Sequence, residues 1–210
     1  MDRIKEQTIA AFAEDLASGN PSPGGGSAAA VSGVLAASLV KMVAVLTIGR
    51  KKYIAVQDEM EETATEAARL SALLSDLADR DARAYDGVME AYKLPKSTED
   101  EMGLRQEAVT QALRHAAEVP LQTACAVSKV LALAVSVAER GNTNAVTDAG
   151  VGALLAYAAF QAAAYNVRIN IGSLEPKPEW ALDMHKTIAD LESHNSELAT
   201  QARNKVLSGI

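Results

Sequence analysis

An all-α fold, a multihelical bundle of about six helices with long apolar helices at its centre, is what the sequence predicts, and three observations carry the prediction. Apolar residues make up 49% of the 210 residues but aromatic residues only 4%, and the apolar share is dominated by alanine, which suits closely packed helices better than a sheet. Apolar residues recur at helical spacing over long runs and do not alternate as in a half-buried strand. Proline and glycine gather at a few points, each between two such runs. No long Pro/Gly/Ser linker divides the middle, so residues 1–210 read as a single helical domain.

The first element is short. Ile9, Phe12 and Leu16 share one helical face, and "SGNP" stops the helix, because Gly19 allows a C-terminal break and Pro21 forbids continuation. The motif "NPSPGGGSAAAVSG" then leads into a second helix, residues 27 to about 48, apolar on every side except Lys41. Its length would span a bilayer, but its alanines, Ser32, Gly33, Ser38 and Thr47 make it weakly lipophilic, so it reads as a central helix surrounded by protein, with no membrane role. Residues 53–92 place Leu70, Leu73, Leu74 and Leu77 on one face of a long helix that ends at "KLPKSTED".

Ser97 or Thr98, with Glu101 behind it, forms a capping box for the next helix. That helix is expected to kink or restart at Pro120 and to continue through the apolar run 121–138, where Lys129 is the one charge. A turn at Gly141 and Asn142 precedes an apolar helix over 145–171. Pro176 and Pro178 bound the connection to a final amphipathic helix over 179–207. Three helices apolar all round exceed what a monomer of this size buries, which predicts packing as a homodimer.

Charge and cysteine content narrow the function. The net charge of −7, without a basic tract, argues against nucleic acid as a partner. The single Cys125 excludes an intramolecular disulfide framework, and the charged amphipathic start lacks the apolar core of a secretory signal, so a cytoplasmic location is expected. "PSPGGGSA" lacks the Gly-Lys-Ser/Thr of a phosphate-binding loop. His115, His185 and His194 do not form a metal pattern, and no nucleophile motif is present.

What remains are polar residues in places where helices prefer apolar ones. Asp148 opens an apolar helix, where it either complements the helix dipole, capped by Asn144, or does chemistry. Asn166 and Asn170, four apart, share a face. Asp81, Tyr85 and Tyr92 form one stripe of the third helix, with Lys93 beside its end. Lys41 and Lys129 each lie alone in an apolar helix. The three glycines either let two helices cross closely or expose backbone N–H groups to a ligand.

Taken together, "NPSPGGGSAAAVSG", "DARAYDGVMEAYKLPK", "EVPLQTA" and "NTNAVTDAGVGALLAYAAFQAAAYNVRINI" resemble, in order and over nearly the whole chain, the cyclodeaminase/cyclohydrolase family. This family comprises the cyclodeaminase half of formiminotransferase-cyclodeaminase and the free-standing bacterial methenyltetrahydrofolate cyclohydrolase of serine-cycle type. The resemblance implies an all-helical homodimer acting on the N5/N10 one-carbon bridge of tetrahydrofolate, with no metal or redox cofactor. The alternative is a folate-binding or scaffold protein that kept the fold and lost catalysis.

Addition to an amidine-like carbon needs a proton shuttle and an orienting group, which makes Asp148, Asp81 and Lys93 the catalytic candidates. Ser22, Gly24, Gly25, Gly26 and Ser27 match the family motif and are expected, with Tyr85, to contact substrate. Asn142, Asn144, Asn166 and Asn170 are suited to the pterin's amide and amino edges. Some of Lys41, Arg50, Lys51, Lys52 and Lys93 are expected around the anionic glutamate tail.

Overall fold

The computed structural model describes residues 3–172 and 174–210. Six α-helices account for most of them: α1 (Ile9–Ala17), α2 (Gly25–Thr47), α3 (Gln57–Tyr92), α4 (Glu99–Arg140), α5 (Val146–Gly172) and α6 (Glu179–Leu207). Short 3-10 turns at Ile4–Glu6, Lys51–Val56 and Thr143–Ala145 complete the secondary structure, and no strand occurs among the described residues.

Local chemistry explains most boundaries. Thr8 caps α1 by accepting from the Ala11 N–H at 3.1 Å, and Gly19 at φ 81° turns the chain away after the helix. At the start of α4 the predicted capping box forms on Thr98, which accepts from the Glu101 N–H while the Glu101 carboxylate takes the Thr98 N–H. Asn142, not Asn144, caps the turn into α5, its Oδ1 accepting from the Asn144 N–H at 3.1 Å.

Pro120 corrects an expectation. The α4 helix neither stops nor restarts there but runs unbroken for 42 residues. Proline removes the N–H that the Ala116 carbonyl would have received. The Asn170 side chain of α5 supplies the missing donor, with Nδ2 at 2.7 Å from the Ala116 oxygen. A helix-internal proline is tolerated here because a neighbouring helix satisfies the carbonyl it orphans.

The helix α2 lies between α3 and α5, with α4 behind all three and α6 along the α4 and α5 side. Leu70, Leu74 and Leu77 of α3 are fully buried in this core, each contributing about 1.5–3 kcal/mol of transfer free energy. Small residues set the spacing: Ala30, Ala36 and Ala37 of α2 are fully buried, and a Cβ on Gly33 would stand 2.6 Å from Val127 Cγ1 of α4 and 3.1 Å from Leu74.

Helix α2 is not surrounded by protein as the sequence predicts. Leu35, Met42, Val45 and Leu46 leave an apolar strip on its outer side, continued on α5 by Val151, Leu154, Tyr165 and Ile169. Three segments, α2, α4 and residues 143–172, are long and apolar enough to cross a membrane by length and composition, but in α2 only 44% of the apolar window is buried within the chain.

Candidate functional site

The glycine motif and the third-helix stripe meet at the N-terminus of α2. Gly26 and Ser27 lie in the first turn of that helix, and Asp81 reaches across from α3 to its open N–H groups. A Cβ on Gly26 would run into the Asp81 carboxylate, so glycine is required there to let the acid approach. Ser27 Oγ stands 3.0 Å from Asp81 Oδ2 and 3.1 Å from the Ala78 carbonyl. Burial pushes the Asp81 pKa up, and the Ser27 hydroxyl and N–H pull it partly back.

Ser27 has one proton and two acceptors. When Asp81 is ionised, the hydroxyl donates to it; when Asp81 carries a proton, the acid donates to Ser27 and the hydroxyl turns to Ala78. Both protonation states therefore keep the carboxyl in one place. Ser27 is fully buried, which corrects the expectation that it touches a ligand directly.

From the opposite wall α5 projects both predicted asparagines. Asn166 Nδ2 donates to the Ala162 carbonyl at 2.8 Å, and Asn170 Nδ2 donates to Ala116. With the amide nitrogens committed to backbone, the Oδ1 atoms remain as acceptors. Gly25 packs against Asn166, whose Nδ2 would be 3.5 Å from a Cβ there. Between these walls lies a cavity of about 320 Å³, lined by Pro21, Ser22, Gly24, Gly25, Gly26, Asp81, Tyr85, Asn166 and Asn170, with Ala84, Val88, Ala116 and Ile169 as its apolar part. Asp81 is the one charged side chain among them. The cavity can bind a flat polar heterocycle against acceptors and a proton-carrying acid.

The remaining candidates lie elsewhere within the single chain. Lys93 pairs with Glu90 at 2.7 Å on exposed surface, and about 12 Å of helix separates it from Tyr85. Tyr92, at the end of the stripe, stacks with Arg105 at 5.5 Å. Lys41 lines a separate groove between α2 and α3, with Ser38 and Met42.

Asn142 is buried and binds the end of α2 to the start of α5, its N–H on Thr47 Oγ1 at 2.8 Å and its Nδ2 on the Leu46 carbonyl at 3.0 Å. It contacts no ligand surface within one chain. Asn144 is exposed and Asp148 half-buried at the same end of the bundle. About 27 Å of α5 lies between Asp148 and Asn166. There Lys52 Nζ stands 3.4 Å from Thr143 Oγ1, and the Tyr53 hydroxyl accepts from the Thr143 N–H at 3.0 Å. Thr143 and Lys52 together pull the Tyr53 pKa down to about 8.

Ala116 was not anticipated as part of the cavity wall, nor Pro120 as the reason Asn170 reaches it. The readable signal was a proline inside an apolar helix, which demands a foreign donor for the carbonyl four residues back, and an unexplained asparagine four residues from another.

Residues 8–190 match the family model described as formiminotransferase-cyclodeaminase. A methenyltetrahydrofolate cyclohydrolase from Methylorubrum extorquens is 38% identical over 95% of this chain and 98% of its own. The formimidoyltransferase-cyclodeaminase of Mus musculus is 34% identical over 80% of this chain, which spans 31% of the mouse protein's length. A crystal structure of formiminotetrahydrofolate cyclodeaminase from Thermotoga maritima superposes with a TM-score of 0.88 at 28% identity, covering 98% of both chains.

Proposed function

The chain belongs to the formiminotransferase-cyclodeaminase family, and from that premise we propose that the Asp81 cavity works on the one-carbon bridge between N5 and N10 of tetrahydrofolate. The chain is a folate one-carbon enzyme of the cyclohydrolase or cyclodeaminase kind. The first reading is hydrolysis of the methenyl bridge, supported by the full-length similarity to a methenyltetrahydrofolate cyclohydrolase.

One observation carries the assignment to this cavity: a mostly buried carboxyl group, held by Ser27 in either protonation state, faces two asparagine acceptors across a space of heterocycle size. Hydrolysis adds water to the amidinium carbon, passes through a tetrahedral carbon between two nitrogens, and breaks the bond to one of them. The water gives up a proton and the departing nitrogen takes one. Asp81, its proton affinity raised by burial, takes the first and gives it to the departing nitrogen, while the remaining hydroxyl proton leaves to solvent as the carbonyl forms. Asn166 and Asn170 orient the pterin through their free acceptors, and the missing side chains at Gly24 and Gly25 let it approach the backbone. The scheme uses no metal or redox cofactor.

Ring closure is the second reading, favoured by the structural likeness to a formiminotetrahydrofolate cyclodeaminase over 98% of the chain. There N10 attacks the carbon of a protonated 5-formimino group and loses its proton to Asp81, which passes it to the former imine nitrogen, so that ammonia leaves and the cationic methenyl bridge remains. We assign the working form to a cytoplasmic homodimer, supported by the apolar strip on α2 and α5, which Ser38 and Gln161 interrupt as a lipid-facing surface would not.

A paired assay tests the function. Purified protein is expected to bleach 5,10-methenyltetrahydrofolate faster than buffer or to release ammonia from 5-formiminotetrahydrofolate, with Asp81→Asn slowing either roughly 100-fold or more. Binding of tetrahydrofolate without turnover of either compound would establish the inactive folate-binding alternative.

A further inference from the structure

Asp79 is a buried carboxyl group that the reaction above does not use. It is 7% exposed, and its Oδ1 accepts the Ile4 N–H at 2.6 Å. The cations on either side of Ile4 are engaged elsewhere, Lys5 with Asp76 at 2.5 Å and Arg3 with Glu6 at 3.5 Å, and no ion pair to Asp79 occurs among the described residues. Burying a carboxyl group for one backbone partner costs stability. The bond returns little of it to the core, because Ile4 is the only buried residue between positions 3 and 20.

What the bond holds is a strap. Asp79 and Asp81 are two residues apart, at about 100° each, and so face opposite sides of α3. The chain starts on the Asp79 side at Ile4 and Lys5 and arrives on the Asp81 side at Pro21 and Ser22, where Ser22 Oγ stands 3.5 Å from the Ala82 carbonyl. Between these anchors runs α1, about 13 Å long against the 10–12 Å width of a helix. It has no buried residue, and Phe12 is its apolar contact with the core. A segment so weakly packed opens locally at low cost unless its ends are tied.

Its far end matters to the site. Pro21, Ser22 and Gly24 form one wall of the Asp81 cavity without a helix or strand of their own, tethered by α2 on one side and by the strap on the other. Asp81 is held independently, by Ser27 of α2.

We propose that Asp79 is a positioning residue for this cavity: by tying down the strap it fixes the wall of Pro21, Ser22 and Gly24 against which substrate binds. The inference rests on the reading of the Asp81 cavity as the folate site. Releasing the strap disorders the binding wall and leaves the proton-transfer group in place, so binding and chemistry separate. Having to order about one backbone residue on binding weakens affinity roughly tenfold. KM therefore rises by about that factor, while kcat stays within about twofold.

Steady-state kinetics test this on 5,10-methenyltetrahydrofolate or 5-formiminotetrahydrofolate, whichever the wild type turns over; where the wild type binds tetrahydrofolate without turnover, the same shifts are read in Kd. Asp79→Ala is expected to raise KM roughly tenfold, and Asp79→Asn, whose amide oxygen still accepts the Ile4 N–H, to restore it to within about threefold of wild type. Ile4→Ala removes the other half of the anchor and should reproduce the Asp79→Ala effect with α3 unchanged in sequence, which keeps the test open if Asp79→Ala does not fold. Combined, the two should give no more than the larger single effect, since both free one strap. Hydrogen exchange supplies the structural readout: the amides of α1 exchange faster in Asp79→Ala, and those of α3 between Leu70 and Val88 do not.

A folded Asp79→Ala or Ile4→Ala protein with wild-type KM overturns the strap, as does an Asp79→Asn protein as impaired as Asp79→Ala, or a loss confined to kcat. Failure of both Asp79→Ala and Ile4→Ala to fold assigns the strap to the stability of the bundle and overturns it as well. Wild-type protein that neither turns over nor binds tetrahydrofolate overturns the folate reading instead.

Discussion

Replacing Gly26 by alanine adds one methyl group inside the space of the Asp81 carboxylate. All three carboxylate heavy atoms lie within 2.6 Å of where that Cβ would stand, against about 3.4 Å for ordinary contact, so the acid must move by roughly 1 Å. It has somewhere to go, because the cavity is open on that side. The fold is therefore expected to survive: alanine gains up to about 1 kcal/mol of helix propensity over glycine, and the collision is with a side chain that can swing away. Catalysis is not. A displacement of about 1 Å in a proton-transfer group costs on the order of 100-fold.

Gly33→Ala, two turns further along the same helix, is the control. Its Cβ would meet Val127 at 2.6 Å and Leu74 at 3.1 and 3.2 Å in a closed core, so it is expected to cost about 1–3 kcal/mol of stability with little change in kcat of the folded fraction. The assay pairs thermal melting with initial rates on whichever of the two folate substrates the wild type turns over. Gly26→Ala with wild-type melting and activity within about threefold of wild type would refute the placement of Asp81 as the proton-transfer group.

Because burial raises the Asp81 pKa in the folded state, stability is expected to fall as pH rises from the ordinary aspartate value to the raised one, and to be flat outside that window; Asp81→Asn should remove this slope in denaturant titrations, and an unchanged slope would contradict it. Tyr53 should titrate near pH 8 in the ultraviolet phenolate band, and Tyr53→Phe should abolish that step. Asn170→Ala is expected to cost about 1–3 kcal/mol by orphaning the Ala116 carbonyl, and less in a Pro120→Ala background, where residue 120 regains its N–H; strict additivity in the double-mutant cycle would refute the coupling. Leu35→Lys with Leu154→Lys should yield a folded monomer by light scattering, and a persistent dimer would place its interface elsewhere.

The elements of the fold were largely legible because each is specified locally. Helical periodicity predicts α1, α3 and α6, the Thr98–Glu101 capping box marks the start of α4, and the Gly and Pro breaks mark the other limits within a few residues. No restart occurs at Pro120 because the cost of a helix-internal proline is a non-local quantity: whether it breaks the helix depends on what reaches the carbonyl four residues earlier, and here that is a side chain fifty-four residues away in sequence. The same limitation applied to the site. Gly26, Asp81, Tyr85, Asn166 and Asn170 stood out as anomalies, but Ser27 was taken as a ligand contact and Asp148 and Lys93 were grouped with Asp81, because a one-dimensional pattern gives each residue's face on its own helix and not which end of the bundle that face occupies.

By itself the sequence determined the all-helical class, the element order and the polar residue types able to transfer a proton or hydrogen-bond a ligand, all of which follow from local periodicity, capping and the chemistry of single side chains. Only the tertiary structure decided that Gly26 admits a carboxylate from α3, that Asn170 compensates for Pro120, and that the polar candidates divide between two ends of the bundle. These depend on the registers of α2 against α3, of α4 against α5 and of α2 against α5, and register is set by which small residues pack against which large ones, a property of pairs of helices that neither helix carries alone.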